Sequence, residues 1–171
     1  LLVAAKQAGL DRPEMEQLLP RQAELPFDSD RKRMTTIHKL DGRKPSLPDY
    51  LKPLASLDSP YLALTKGAVD GLLERSTRIW VDDHIEALDA AWAERVQRAN
   101  DQMAQNGMRV LGLAMQPLAA VPQELEHEVE REMILLGMVG MIDPPRPEVR
   151  EAVKTCIEAG IRPIMITGDH P

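Results

Sequence analysis

The end of the chain carries the pattern that most restricts its fold, two apolar segments on either side of an amphipathic one. "MILLGMVGMID" at 133–143 is continuously apolar, which is typical of a strand that a parallel sheet buries on both faces. "PEVREAVKTCIEAG" at 147–160 has helical spacing between a first proline and a last glycine, and "IRPIMITGD" at 161–169 predicts a second strand. Because such a βαβ unit is too small to bury a core, we predict a partial α/β domain over residues 131–171 and a separate domain over residues 1–130.

Residues 1–130 predict a mixture of strands and helices. "ELPFDSDRKRMTTIHKL" at 24–40 indicates a strand, a polar turn and a second strand, and "YLALTKG" and "MRVLGLAMQ" indicate two more. Short helices are expected in "LLVAAKQAG", "DRPEMEQLL" and "AVDGLLERS". The proline-containing segments 41–60 and 117–131 predict a surface loop and a connector.

The clearest helix is predicted from about Asp82 to Asn106. Its apolar residues recur every three or four positions and would form one buried stripe, made of Ile85, Leu88, Trp92, Val96, Ala99 and Met103. Asp82 or Asp83 is expected to cap the start of this helix, and Asn106 with Gly107 to end it.

Composition excludes several classes of protein. Hydrophobic residues make up 43% of the 171 residues and charged residues 28%, which is typical of a folded chain, and the net charge of −6 argues against nucleic-acid binding. Cys156 is the one cysteine, so no internal disulfide can form and a reducing compartment is expected. The longest apolar stretch, at 133–142, has about half the length of a membrane-spanning helix. A start without Met suggests a piece of a larger protein.

Polar residues follow both predicted strands of the last forty or so residues. Thr167, Gly168 and Asp169 end one strand and Asp143 ends the other, where open parallel sheets bind ligands. A threonine hydroxyl and glycine amides can bind phosphate oxygens there. On spacing alone, ordinary strand-to-helix turns explain these residues better than a site does.

Three residues of the first domain are candidate ligand contacts. Phe27 could stack on a base, and Lys66 and Arg109 could bind phosphate, although a buried aromatic and solvated cations are the more frequent cases. The run Arg31-Lys32-Arg33 is most often a charged turn. The four histidines have no metal-ligand spacing with Cys156, so no metal site is predicted.

The order of the motifs "FDSDRKRM", "LTKGAVD", "MRVLGLA", "GMIDPPRPEV" and "MITGD" resembles the cytoplasmic part of type II P-type ATPases of the calcium-pump kind, bacterial members included. The resemblance implies an α+β fold, in which an antiparallel sheet with flanking helices forms the nucleotide-binding domain. A βαβ fragment of the haloacid-dehalogenase-like phosphorylation domain would follow it.

The resemblance also implies roles for individual residues. In the ATP site Phe27 would stack on adenine, Lys32 would border the nucleotide, Lys66 and Gly67 would edge the adenine pocket, and Arg109 would reach a phosphate. The residues expected around the phosphorylation site are Asp143, Arg146, Thr167, Gly168 and Asp169. The acceptor aspartate, in an Asp-Lys-Thr-Gly-Thr motif, is expected upstream of residue 1.

The resemblance implies the cytoplasmic domain of an integral membrane pump. Its cofactors would be ATP and Mg²⁺, with the Mg²⁺ ligands mostly outside this chain, and its partners the phosphorylation, actuator and membrane domains. We expect the fragment to bind ATP without hydrolysing it, and the exposed βαβ tail to be poorly ordered or to self-associate. Calcium as the transported ion is suggested by the resemblance alone.

Two alternatives remain open, and two departures from the family pattern weaken the assignment of roles. A stand-alone haloacid-dehalogenase phosphatase would use Asp143, but the two prolines after it disfavour the loop a nucleophile needs. A protein-interaction module would use segments 43–59 or 123–132. The usual "KGAPE" is "KGAVD" here, and Ser29 stands where the calcium pump has an arginine.

Overall fold

The computed structural model describes residues 1–40, 54, 57, 59–125, 129–142, 146–164 and 166. Most of the predicted loop at 43–59 therefore lies outside the described residues. In chain order the helices and strands are α1 (Leu2–Gln7), α2 (Arg12–Leu18), β1 (Arg21–Asp28), β2 (Arg33–Lys39), β3 (Tyr61–Gly67), α3 (Val69–Leu73), β4 (Ser76–Val81), β5 (His84–Ala87), α4 (Ala90–Gln105), β6 (Arg109–Leu118), β7 (Met133–Met141) and α5 (Pro147–Glu158).

The strands form one seven-stranded sheet in the order β1-β2-β3-β6-β7-β4-β5. Neighbouring strands in it are antiparallel except β4 and β7, which are parallel. The α+β class is confirmed, and so are the strands predicted in the segments 24–40, 61–67 and 108–116. The three short helices predicted in the first 76 residues are also present, as α1, α2 and α3.

The strand predicted to open a separate parallel domain belongs instead to this sheet. β7 pairs with β6 on one side and with β4 on the other, and Met133, Ile134 and Leu135 are fully buried. The compact units are Leu1–Met141 and Ile142–Pro171, so the chain divides after Met141 rather than near residue 130. A continuous apolar run indicates burial on both faces, and a central strand of a mixed sheet satisfies that pattern as well as a parallel sheet does.

In the second unit the predicted helix is confirmed, whereas the described residues of the predicted second strand are not assigned to a strand. α5 has Pro147 in its first turn, and Gly160, just after its end, has φ +74°. The described residues 161–164 and 166 have no regular secondary structure. A strand needs a neighbour for its backbone hydrogen bonds, and none of the described residues supplies one to this segment.

The long helix begins later than its sequence pattern predicts. Asp82 and Asp83, expected as the cap, have φ +45° and +65° and form the turn between β4 and β5. The cap is Asp89, whose carboxylate accepts a hydrogen bond from the Trp92 amide at 2.9 Å. The prediction was wrong over residues 82–89 because Ile85 and Leu88 continue the helical spacing while lying on and after a strand.

The core has a helical layer on one side of the sheet. α3 and α4 pack there through Val69, Leu72 and Val96 against β4, β6 and β7. The same side of the first strands buries a second cluster, Leu25, Ile37, Ala63, Leu118 and Val129. We call this side of the sheet the back face, and the opposite side the front face.

Candidate functional site

An open cavity lies on the front face of the sheet where β2, β3 and β6 run side by side. Met34 pairs with Lys66, and Lys66 with Leu113, so three adjacent strands present these residues in one row. The cavity has a volume of about 320 Å³, within the range of small-molecule sites. Its front-face lining includes Met34, Thr36, Leu64, Lys66, Leu113 and Leu136.

Lys66 is the one residue of the five predicted ATP contacts that lines this cavity. It is exposed near the end of β3 and is surrounded there by apolar side chains. The mixed lining, apolar side chains together with the cations Lys66 and Arg21, suits a ligand that has a flat apolar part and an anionic part.

Gly67 brings the turn between β1 and β2 against the end of β3. A Cβ atom at Gly67 would lie 2.7 Å from the Lys32 carbonyl oxygen and closer still to the Arg33 Cβ. The Ala68 amide donates a hydrogen bond to the same Lys32 carbonyl at 3.0 Å. The absence of a side chain at position 67 therefore allows the backbone at Lys32 and Arg33 to approach the end of β3.

The β1–β2 turn is held by hydrogen bonds within it. The Asp28 carboxylate accepts bonds from the amides of Asp30 (2.9 Å) and Arg31 (2.8 Å), and the Lys32 amide donates to the Asp28 carbonyl at 2.7 Å. The bond from the Arg31 amide is the main reason that the pKa of Asp28 is lowered. Lys32 has φ +50°, so a turn of defined shape presents its side chain.

Phe27 lies in a bulge of β1 beside the strands that form the cavity. A register shift lies between Leu25, which pairs with Thr35, and Asp28, which pairs with Arg33. In this bulge Pro26 and Phe27 both lie opposite Met34, which is the pairing partner of Lys66. Phe27 is the only phenylalanine of the chain, and its side chain is 65% exposed, which is unusual for a large apolar residue.

Arg109 begins β6 and is on the front face. It lies four residues before Leu113 on the same strand, an even separation, so both side chains point to one side. At the usual rise the two residues are about 13 Å apart. Lys66, which pairs with Leu113, and Arg109 therefore share one face of the sheet, and the roles predicted for them stay predictions.

The expected phosphorylation-site residues are mostly outside the described part of the chain. Asp143, Thr167, Gly168 and Asp169 fall on undescribed residues. Arg146 is described, as the exposed residue that precedes α5. Their predicted role stays a prediction.

Behind the front-face site lies a buried ionic cluster that sequence reasoning missed. Glu130 is 3% exposed, and its carboxylate accepts hydrogen bonds from Arg31 (2.7 and 2.8 Å), Arg33 (2.5 Å) and Thr35 (2.8 Å). Thr65 extends the cluster with a 2.8 Å hydroxyl contact to Thr35. Burial alone would raise the pKa of Glu130, but the hydrogen bonds from Arg31, Thr35 and Arg33 outweigh it, so this pKa is lowered.

The missed residues differ in how far the sequence could have indicated them. Leu113 follows Arg109 at even spacing on one strand, so strand alternation predicts that the two side chains share a face. Glu130 is one of several acidic residues in a segment predicted as a connector, and its arginine partners are 97 and 99 positions away. No local pattern indicates that pairing.

Among the described residues, no group of three or more His, Cys, Asp or Glu side chains could hold a metal ion. The described helices include none that is long and apolar enough to cross a membrane.

The chain folds as an α+β domain that has an open cavity on the front face of its sheet. The chain belongs to the P-type ATPase family, since the family model for the P-type ATPase cytoplasmic domain N matches residues 1–148. The resemblance read from the motifs is thereby confirmed.

Named relatives agree with this family. The chain is similar to the calcium-transporting ATPase 1 of Bacillus cereus (38% identical over 170 residues) and the calcium-transporting ATPase of Bacillus subtilis (36% over 170). It is also similar to the cation-transporting ATPase pma1 of a Synechocystis species (35% over 172). Each match covers 99% of this chain but 17% of the relative.

Proposed function

We propose that the front face of this domain binds ATP and that, in a longer cation-transporting P-type ATPase, it delivers the γ-phosphate to an acceptor aspartate. The observation that carries the proposal is the apolar front-face cavity that Lys66 lines, with Arg109 on the same face of the sheet. The exposed ring of Phe27 lies in the adjacent bulge of β1, opposite Met34. The family match supports the nucleotide-binding role independently of this geometry.

Each residue has a role that suits its chemistry. Phe27 offers an exposed π-face to adenine, and the apolar lining beside Lys66 receives the base. Lys66 and Lys32 supply ammonium groups at the border of the nucleotide, and the forked guanidinium of Arg109 binds a phosphate. Gly67 allows the close approach of the turn that carries Lys32.

The 171-residue chain alone is proposed to bind ATP without turning it over. Its sequence has no Asp-Lys-Thr-Gly-Thr motif, so the acceptor aspartate must come from elsewhere in the pump. Phosphoryl transfer depends mostly on positioning and charge stabilisation, which domain closure would supply. We propose that five residues of a phosphorylation-domain segment lie around the acceptor aspartate: Asp143, Arg146, Thr167, Gly168 and Asp169.

The parent protein is proposed to be a membrane pump with this domain on its cytoplasmic side. Its phosphorylation, actuator and membrane domains would be the partners of this chain, and Mg²⁺ would accompany ATP. The names of two relatives, which are calcium-transporting ATPases, support calcium as the transported ion.

Isothermal titration with ATP tests the proposal. We expect saturable binding at one site, with affinity at least tenfold lower in Phe27→Ala and in Lys66→Ala, because each change removes a direct ligand contact. Lys39→Ala is the matched control, since Lys39 is also an exposed β-strand lysine but lies at the far end of β2. Unchanged binding in both site variants would favour the interaction-module alternative.

Phosphate release by the purified chain is the second measurement. We expect none above background in the presence of Mg²⁺ and ATP. Steady-state release that is abolished by Asp143→Ala would instead support the phosphatase alternative.

A further inference from the structure

Three features place Glu130 behind the proposed nucleotide site rather than in it. Its carboxylate is buried on the back face, it contacts two arginines from the β1–β2 segment, and it comes from the segment that precedes β7. Its backbone is in the left-handed region (φ +66°), and its amide donates to the Gln116 side chain at 3.0 Å. Glu130 therefore keeps an unfavourable backbone conformation while its carboxylate is paired with Arg31 and Arg33.

The two arginines connect Glu130 to the backbone beside the predicted ligand contacts. Arg31 donates two hydrogen bonds to Glu130 and, through its other terminal nitrogen, one to the Pro26 carbonyl at 2.6 Å. Pro26 immediately precedes Phe27. Both Arg31 and the carboxylate therefore act on the position of the exposed aromatic ring.

The second connection reaches Lys32. Arg33 donates to Glu130 at 2.5 Å and to the Arg31 carbonyl at 2.9 Å. That carbonyl belongs to the peptide bond that leads into Lys32. The two ends of the turn, at Pro26 and at Arg31, are thus held by guanidinium groups that share one carboxylate.

We propose that Glu130 is a positioning residue for the nucleotide site, which, through Arg31 and Arg33, holds the β1–β2 turn so that Phe27 and Lys32 face the cavity. The inference rests on the proposed function, because it assumes that these two side chains contact ATP. Glu130 itself touches no ligand. Its contribution is the preorganisation of a site built on a turn, which without support would lose conformational freedom on binding and so weaken it.

Arg31→Ala tests the connection with the least disturbance of the core, because the Arg31 side chain is 23% exposed whereas that of Arg33 is 8% exposed. In titrations of the 171-residue chain at a temperature where it is fully folded, we expect the Kd for ATP to rise about tenfold. Arg98→Ala is the control, since it removes an exposed arginine from a surface pair with Glu94, and its Kd should stay within twofold of the unaltered chain.

Glu130→Gln is the second variant and keeps the shape of the side chain while removing its charge. We expect a similar rise in Kd, and the double variant should bind no more weakly than the weaker single variant, because both changes break one connection. We also expect faster amide hydrogen exchange at Phe27 and Lys32 in both variants. A loss of global stability alone would not accelerate exchange at these two amides selectively.

The possible failures are distinguishable. If the unaltered chain does not bind ATP, the proposed function fails. If it binds, and folded Arg31→Ala binds equally well without faster exchange at Phe27 and Lys32, the positioning role of Glu130 is refuted. If Glu130→Gln does not fold, Arg31→Ala decides the question alone.

Discussion

At Gly67 the backbones of β2 and β3 come so close that no side chain can be added without movement. Gly67→Ala would force the turn at Lys32 and Arg33 away from β3. We expect the free energy of unfolding to fall by about 1–3 kcal/mol, the usual cost of overpacking, and the affinity for ATP to fall with it. Urea denaturation and titration measure the two effects.

Gly71→Ala is the matched control for this prediction. Gly71 lies within α3, and a Cβ there would have no neighbour within 4 Å. Replacing a helical glycine by alanine stabilises by about 0.5–1 kcal/mol. Equal effects of the two substitutions would show that the close contact at Gly67 is not needed.

Glu130 makes stability depend on pH in a definite direction. Because its pKa in the folded protein is lowered from the usual value of 4.5, its contribution is present above about pH 4.5 and is lost as the pH falls through the folded-state pKa. The unfolding free energy should therefore decrease below about pH 4.5. Glu130→Gln should unfold more readily at neutral pH, by about 3–5 kcal/mol, and should lose less on acidification.

Denaturant unfolding at a series of pH values measures this difference. Asp28 also has a lowered pKa, so the comparison must be made between the unaltered chain and Glu130→Gln rather than on the unaltered chain alone. Parallel pH profiles for the two proteins would contradict the prediction.

At the scale of elements, α4 depends on a cap that its own sequence pattern does not point to. Asp89 accepts the Trp92 amide, so Asp89→Ala should lower the unfolding free energy by about 1 kcal/mol. Asp11 is the control, because it stands at the start of α2 and makes no side-chain cap bond. Thermal unfolding compares the two variants, and a greater loss in Asp11→Ala would show that the cap bond is not what stabilises α4.

At the scale of the whole molecule, the second unit exposes an apolar stripe. Val149, Val153 and Ile157 recur every four residues on α5 and are 43%, 39% and 63% exposed. We expect the full chain to self-associate at high concentration, and a chain ending at Met141 to remain monomeric while it still binds ATP. Sedimentation at several concentrations tests this, and a full chain that stays monomeric throughout would contradict it.

The strands and helices followed from local pattern wherever burial was periodic, as at "YLALTKG", "MRVLGLAMQ" and the helix that starts at Pro147. The same rule misassigned residues 82–89, because two apolar residues of a short hairpin continued the spacing of the next helix. It also could not tell whether β7 was paired with strands of its own unit or of another. Periodicity reports how many faces are buried, but not which neighbour buries them.

The candidate site, like the fold, could be predicted only in part from the sequence. The candidate residues themselves can be recognised from the sequence. They are a phenylalanine beside a charged turn, a Lys-Gly pair that ends a strand and an arginine that begins one, within motifs whose order indicates a P-type ATPase. Their positions relative to one another depend on the pairing of β2, β3 and β6, and the hydrogen bonds that hold the β1–β2 turn depend on a carboxylate nearly a hundred residues away. Which distant residues come into contact depends on how the strands pair and on which side chains they bury. The local sequence around each residue does not specify that pairing.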